Sequence, residues 1–343
     1  MLVLCGKAGK LVEGNMTVTR DDLEQMLEAL RAQVTDPRAG IYGPGSQAWT
    51  ISKEAILFLG GGRAALLQTA HPFVAHGVDQ HSATKTDPLG RFQRTFDNVF
   101  AMVFGDLEMA MKSARRVHTI HRRIVGEIRE DVGQFRLGSP YQANDEQALF
   151  WVHATLIDTA VLMYELCIRE LSYAEKDQYY QETRRFARLF GIEDAYIPPD
   201  WAAFEAYNRK MWQSDVLAVG EPARQLRRYL FTSPKPSHRP LFRWVEVMTA
   251  GIMPDRLRDE YDLPWRAADQ RLFQASLLVL QQVYPRLPPR LRYLPAYVNA
   301  RRRLAGKHGP DRIGQLLERI ALLGLDKDYK LRRRPAQARQ LNA

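Results

Sequence analysis

Residues 144–171 read NDEQALFWVHATLIDTAVLMYELCIREL, and this stretch decides the fold. Asn144-Asp145-Glu146 is typical of a helix start, because a short polar side chain accepts hydrogen bonds from the free N–H groups of a first turn. The longest apolar run of the chain follows, Phe150–Tyr164, and contains His153 and Asp158. It is shorter than the roughly 18–20 apolar residues of a membrane helix. The stretch therefore predicts a long core helix.

Helical periodicity extends over most of the chain, and alternating strands are scarce. Three glycines interrupt the helical pattern of 51–70, and the Ser172–Glu175 spacing matches a capping box. The pattern predicts an all-α fold, an irregular multi-helix bundle. Further helices are predicted at 19–33, 51–70, 89–104, 107–128, 172–190, 200–212, 241–253, 265–284, 289–306 and 310–323.

The sequence predicts three consecutive parts, which we interpret as belonging to one domain. Residues 1–40 form an N-terminal extension and the first helix. Residues 41–270 form the main core. Residues 271–343 are predicted to be C-terminal helices that pack on this core, followed by a basic tail.

Composition limits the partners and the compartment. The chain of 343 residues carries a formal charge of +10, so it attracts anionic groups. We find no zinc-finger spacing and no RRM-like motif in the sequence, and nucleic acid is not an expected partner. Two cysteines cannot build a disulfide framework, and the N-terminus does not resemble a signal peptide. We expect a cytoplasmic protein with no integral membrane segment, compatible with peripheral membrane contact.

Histidines mark the expected site. Six of the eight lie between residues 71 and 153, namely His71, His76, His81, His118, His121 and His153. Histidine is the commonest metal ligand and a proton carrier near neutral pH. His118 and His121 are three residues apart and share a helix face, so one can point inward. A buried His153 needs a polar partner.

Several other chemistries lack their motifs. The sequence has no His-Glu-x-x-His, no Gly-x-Ser-x-Gly elbow and no paired Glu-x-x-His of a di-iron bundle. The run Gly60-Gly61-Gly62-Arg63 lacks the lysine and hydroxyl residue of a phosphate loop. We expect these glycines to allow a close approach, either of helices or of a cofactor.

A set of short motifs, in order, resembles one family. They are Gly61-Gly62-Arg63-Ala64-Ala65-Leu66-Leu67-Gln68-Thr69-Ala70-His71-Pro72, His81-Ser82, Asp87-Pro88-Leu89-Gly90-Arg91-Phe92-Gln93-Arg94-Thr95, Phe104-Gly105-Asp106, His121-Arg122-Arg123-Ile124-Val125-Gly126, Tyr141-Gln142-Ala143-Asn144-Asp145 and Trp151-Val152-His153-Ala154-Thr155-Leu156. The order and spacing resemble the MpaB-type oxygenases and the catalytic domain of latex-clearing rubber oxygenases, over about residues 40–265.

The resemblance implies an α-helical oxygenase core that encloses a b-type haem, with O2 as co-substrate. It implies His121 as the proximal iron ligand, with His118 as the alternative. Arg91, Arg94 and Thr95 would form the opposite face and donate hydrogen bonds to oxygen or to a propionate. The rubber oxygenases have a lysine at the position of Arg94. An arginine has no lone pair for iron, so water or another group, such as His71 or His76, would fill that position.

The resemblance also implies a substrate and supporting residues. The substrate would be hydrophobic, unsaturated or prenyl-like, and an electron donor is compatible with this chemistry. His71 and His153 are candidates for acid–base steps, and His153 also for a contact with a haem propionate. Two other hypotheses stay open: a non-haem iron or zinc enzyme that uses the histidines, and a non-catalytic helical protein that binds a lipid-like ligand.

Overall fold

The computed structural model describes residues 17–81, 88–233 and 235–307, with side chains from residue 95 onward in the helix that begins at Pro88. The described part is an all-α multi-helix fold with one two-stranded sheet. The predicted fold class is therefore confirmed. The predicted helix at 310–323 lies outside the described residues.

The helix predicted from residues 144–171 is the longest of the described part. It is α7 (Glu146–Cys167), with 22 residues, and the Asp145 carboxylate accepts a hydrogen bond from the N–H of Ala148 at 2.9 Å. By length and composition α7 could cross a membrane, although 61% of its apolar window is buried inside the protein. Buried residues on most sides of α7 place it at the centre of the largest hydrophobic cluster.

Fourteen further helices occur in the described residues. Those before α7 are α1 (Arg20–Gln33), α2 (Gln47–Ser52), α3 (Gly61–Thr69), α4 (Pro72–His81), α5 (Pro88–Phe104) and α6 (Leu107–His121). Those after it are α8 (Tyr173–Arg188), α9 (Trp201–Gln213), α10 (Glu221–Phe231), α11 (Arg239–Ile252), α12 (Asp255–Glu260), α13 (Ala267–Val283), α14 (Pro289–Arg292) and α15 (Pro295–Leu304).

The glycine run between α2 and α7 allows a close approach of helices. A methyl group at Gly60 would lie 2.5 Å from Cγ2 of Thr159 on α7. A methyl group at Gly62 would lie 2.3 Å from Oγ1 of Thr249 on α11. The predicted break is present, because a 3-10 helix spans Ala55–Gly60 and α3 begins at Gly61.

The helix predicted over 107–128 is too long. Helix α6 ends at His121, and β1 (Val125–Glu127) pairs antiparallel with β2 (Pro140–Gln142). Gly126 opposes Tyr141, and a methyl group on Gly126 would lie 2.8 Å from the tyrosine hydroxyl oxygen. The helical pattern continues past the helix end because Ile124 and Ile128 are apolar, and here they pack against Tyr141 of the hairpin.

The two ends of the described chain pack against its centre. Leu23, Leu27 and Leu30 of α1 are fully buried against α6 and α8. At the other end, the N–H of Leu294 donates to the carbonyl oxygen of Lys53 at 2.8 Å, and Arg292 pairs with the buried Glu54.

Candidate functional site

The last turn of α6 carries two histidines with different surroundings. His118 is buried, and its Nε2 donates to the backbone carbonyl oxygen of Val18 at 3.0 Å. This bond ties α6 to the segment that precedes α1, because Val18 also donates its N–H to the carbonyl oxygen of Asn144. His118 is therefore a structural residue in this arrangement.

His121 lies one turn further along, at the end of α6. Its Nδ1 is buried and has no hydrogen-bond partner among the described residues. Burial, with a smaller contribution from the neighbouring His118, lowers the pKa of His121 to about 4, and a hydrogen bond from the ring to the Asn144 side chain opposes this shift. The ring is neutral at pH 7, which is the state that can ligate a metal.

A cavity of about 330 Å³ adjoins His121. Its lining includes the end of α6, the start of α1 and the hairpin, and most of the lining residues are polar. They are Thr17, Val18, Thr19, Arg20, Asp21, His121, Arg122, Val125, Gln142 and Asn144. Arg20 and Arg122 give this cavity positive charge beside the one acidic residue, Asp21.

The hairpin lies between this cavity and the histidines of α4. His81 donates from Nε2 to the carbonyl oxygen of Val125 at 3.0 Å, and Val125 itself lines the cavity. The rings of His76 and His81 both contact Tyr141, with centroids 6.4 and 6.5 Å away. The ends of α4 and α6 therefore meet at one small sheet.

His71 and His76 are held by local contacts at the start of α4. The N–H of Phe73 donates to Nδ1 of His71 at 3.2 Å, so this ring caps the first turn. Burial lowers the pKa of His71 to about 4. His76 donates from Nδ1 to the carbonyl oxygen of Pro72 at 3.0 Å, and its Nε2 lies 3.7 Å from a carboxylate oxygen of Glu130.

His153 is the most isolated histidine of the described chain. It is 2% exposed on α7, with its ring between Phe150 and Phe186, and the Phe186 ring stacks at 5.7 Å. Both ring nitrogens are without a hydrogen-bond partner in the part of the chain that the structure describes. Burial lowers its pKa to about 3. The polar partner that the sequence analysis expects for a buried His153 is not among its described neighbours.

The residues expected on the opposite face of a haem all belong to α5. The side chains of Arg91 and Arg94 lie outside the described residues. Thr95 is exposed on the same helix. The assignment of these three residues stays a prediction.

The histidines occupy three separate surroundings. One group lies around Tyr141, a second at the end of α6, and His153 lies alone on α7. Within residues 17–81, 88–233 and 235–307, no group of three or more His, Cys, Asp or Glu side chains is arranged to hold a metal ion. A cluster that uses only protein ligands is therefore not formed in the described chain.

Several partners that define these surroundings cannot be recognised from the sequence alone. The sequence places Asn144 in a helix cap and in a family motif, and the structure adds that its side chain lies beside His121 at the same cavity. Val18, Glu130 and Phe186 are distant in sequence from the histidines that they contact, and no local pattern marks them. Trp151 on α7 is fully buried and donates from Nε1 to the carbonyl oxygen of Leu67 at 2.8 Å.

Comparisons with known proteins place the chain among oxygenases. The sequence profile of "ER-bound oxygenase mpaB/B'/Rubber oxygenase, catalytic domain" matches residues 48–282. Two uncharacterised proteins, from Mycobacterium bovis and Mycobacterium tuberculosis, are each 28% identical to this chain over 232 residues, which are 66% of this chain and 88% of each relative. No solved structure matches the chain.

Proposed function

We propose, on the premise that the chain belongs to the MpaB and rubber oxygenase catalytic-domain family, that it is an oxygenase that holds a b-type haem through His121. One observation carries the choice of ligand. His121 has a buried ring nitrogen without a partner among the described residues and adjoins a cavity, whereas His118 is bonded to Val18.

The residues around His121 would hold a haem, with the His121 imidazole as its protein ligand. A neutral imidazole is a common haem ligand, and a metal-bound histidine needs a group that fixes the orientation of its ring. Asn144 is placed to do this, since its side chain lies beside the ring and lines the same cavity. Arg20 and Arg122 line the cavity and would pair with the carboxylates of the haem.

When bound, the haem would supply an iron centre that binds O2. The chain itself would keep His121 neutral by burial and hold its ring through Asn144. On α5, Arg94 cannot act as an iron ligand, because a guanidinium has no free lone pair. Arg91, Arg94 and Thr95 would therefore contribute only hydrogen bonds.

His71 and His153 would contribute as neutral groups. With pKa values of about 4 and about 3, both imidazoles are almost entirely neutral at pH 7, so neither supplies an imidazolium proton readily. We assign His153 a polar contact toward the haem or the substrate, as a hydrogen-bond acceptor or donor in its neutral form. His71 is the candidate for an acid–base step.

The family supports the choice of substrate class. We propose a hydrophobic, unsaturated or prenyl-like substrate in a cytoplasmic protein, with an electron donor where the reaction needs reducing equivalents.

The first test is the absorption spectrum of protein produced with a haem precursor, as isolated and after reduction. A Soret band that shifts on reduction is expected, and His121→Ala should lose most of its haem. His118→Ala is the matched control and should keep its haem, because its ring bonds Val18. Full haem content and unchanged axial ligation in His121→Ala would contradict the assignment.

A second cavity favours one other function. It has a volume of about 370 Å³ between α4 and α10, with a mainly apolar lining that includes Ala75, Val78 and Leu226. A helical protein that binds a lipid-like ligand without catalysis would use such a space. Colourless protein that still binds a fluorescent fatty acid, given adequate haem supply, would favour this function.

A further inference from the structure

Helix α13 exposes an unusual amount of apolar surface. Leu278 is 65% exposed and Val279 59% exposed, and Leu272 and Val283 also face outward. Leu272, Val279 and Val283 lie at helical spacings of seven and four residues, so they form one stripe along α13. Leu291 of α14 is likewise exposed. Other exposed large apolar side chains of the described chain are scattered more widely.

The charge of this region has one sign. From Gln270 to Pro310 the sequence has no aspartate or glutamate. The same segment carries eight basic residues, namely Arg271, Arg286, Arg290, Arg292, Arg301, Arg302, Arg303 and Lys307. An apolar stripe beside a cluster of arginines is the composition of a helix that lies in a membrane interface.

Nearby carboxylates do not neutralise this surface. Asp269, at the start of α13, is buried and pairs with Arg243. Glu54 is buried and pairs with Arg292, so this arginine does not contribute to the exposed basic surface. Arg271 of α13 and Arg290 of α14 are exposed, and so is Arg286 in the 3-10 turn between the two helices.

We propose that α13 and α14 form a docking surface for an anionic lipid bilayer. Apolar side chains of the stripe would enter the boundary between headgroups and acyl chains, and the arginines would contact lipid phosphates. Each basic residue close to an anionic surface contributes about 1 kcal/mol, which is roughly a fivefold change in binding. The proposal does not depend on haem.

Charge disfavours a second copy on this surface, because it would bring the same basic surface against itself. Within residues 308–343, charge repels only the last part: 326–343 carry six Lys and Arg against two Asp, whereas 308–325 carry two Arg against one Asp and one Glu and are neutral. A bilayer of anionic lipid is attracted by the exposed arginines.

The test is co-sedimentation of the full chain with vesicles of equimolar phosphatidylcholine and phosphatidylglycerol. Binding is expected, with loss at high salt because surface charges are screened. Leu278→Ser/Val279→Ser should weaken binding by about tenfold or more. Arg271→Gln/Arg286→Gln/Arg290→Gln should weaken it by about a hundredfold.

The matched control is Gln274→Ser/Gln281→Ser. Both glutamines are exposed on α13, opposite Leu272, Val279 and Val283 and next to Leu278. The helix therefore receives two serines without losing apolar surface. This variant should bind as the parent does. All substituted positions are exposed, and circular dichroism melts should be unchanged.

Three outcomes would overturn the proposal. The first is absence of binding to the anionic vesicles. The second is equal binding of the parent and both test variants, which would place the contact elsewhere, for example at Arg332–Arg334. The third is a dimer in light scattering that Leu278→Ser/Val279→Ser dissolves, with no vesicle binding, which would identify a second copy as the partner.

Discussion

Two buried polar regions of this protein differ in how well their groups are satisfied. Between the 3-10 helix Ala55–Gly60 and α14, the carboxylate of Glu54 accepts from Arg292 at 2.8 and 3.2 Å and from the Tyr284 hydroxyl at 3.1 Å. On α7, His153 is equally buried, and neither ring nitrogen has a partner among the described residues. Both regions exclude water, but only in the first are the hydrogen bonds to water replaced by hydrogen bonds within the protein.

The difference separates groups that hold the fold from groups that serve another purpose. A buried ion pair with complete hydrogen bonds fixes α14 against the core. A buried imidazole without hydrogen-bond partners lowers the stability by about 1–3 kcal/mol, and no interaction within the described chain compensates this loss. Such a group is a candidate for contact with a ligand. His121, with one unpartnered nitrogen, lies between the two cases.

The largest effect is expected at the satisfied pair. Arg292→Met should lower the free energy of unfolding by about 3–5 kcal/mol, because it leaves the Glu54 carboxylate buried without its cation. Urea unfolding followed by circular dichroism measures this change.

A double variant sharpens this result. Glu54→Gln/Arg292→Met removes the charge as well as its partner and should recover at least half of the loss. If the single variant loses less than about 1 kcal/mol, then water reaches the carboxylate and the region is not the closed network described here.

A smaller effect is expected where α7 meets the glycine run. Gly60→Ala should destabilise the protein by about 1–3 kcal/mol, because the new methyl group would press on Thr159, the hydroxyl partner of Arg63. Gly61→Ala is the matched control, since a methyl group there meets nothing within 4 Å. Differential scanning calorimetry should show a lower Tm for the first variant alone. Equal Tm values would contradict the close packing of α7.

The sequence predicts the elements of this fold better than the surroundings of its histidines. Caps at Asp145 and Ser172 are local signals, and both are present. Helix α10 was missed, since its sequence EPARQLRRYLF buries only Ala223 and has a proline, Pro222, as its second residue. The hairpin was missed because Gly126 and Tyr141 are paired across fifteen residues, and no two-residue turn announces them.

The same distinction applies to the candidate site. Which histidines share a helix face follows from spacing, so His118 and His121 could be named together. Which of them is already bonded depends on Val18, a hundred residues away. Contacts between residues so far apart arise from tertiary packing, and no periodic pattern in a single sequence predicts them.

The smallest effect at pH 7 is expected at His153 and has the opposite sign. His153→Leu should raise the free energy of unfolding by about 1 kcal/mol, because it removes two unsatisfied nitrogens and keeps an apolar side chain between the phenylalanines. His118→Leu is the control and should lower it by about 1 kcal/mol, since it breaks the bond to Val18.

The pH dependence tests the same residue independently of packing. The pKa of His153 is about 3 in the folded protein, against 6.5 for the free side chain, so unfolding takes up a proton between these values. The parent should therefore lose stability relative to His153→Leu as the pH falls below 6.5, by about 1.4 kcal/mol per pH unit. Urea unfolding at pH 7 and pH 5 measures this divergence. A constant difference between the two proteins would show that the imidazole is protonated inside the fold, and hence that it has an acidic partner close to α7.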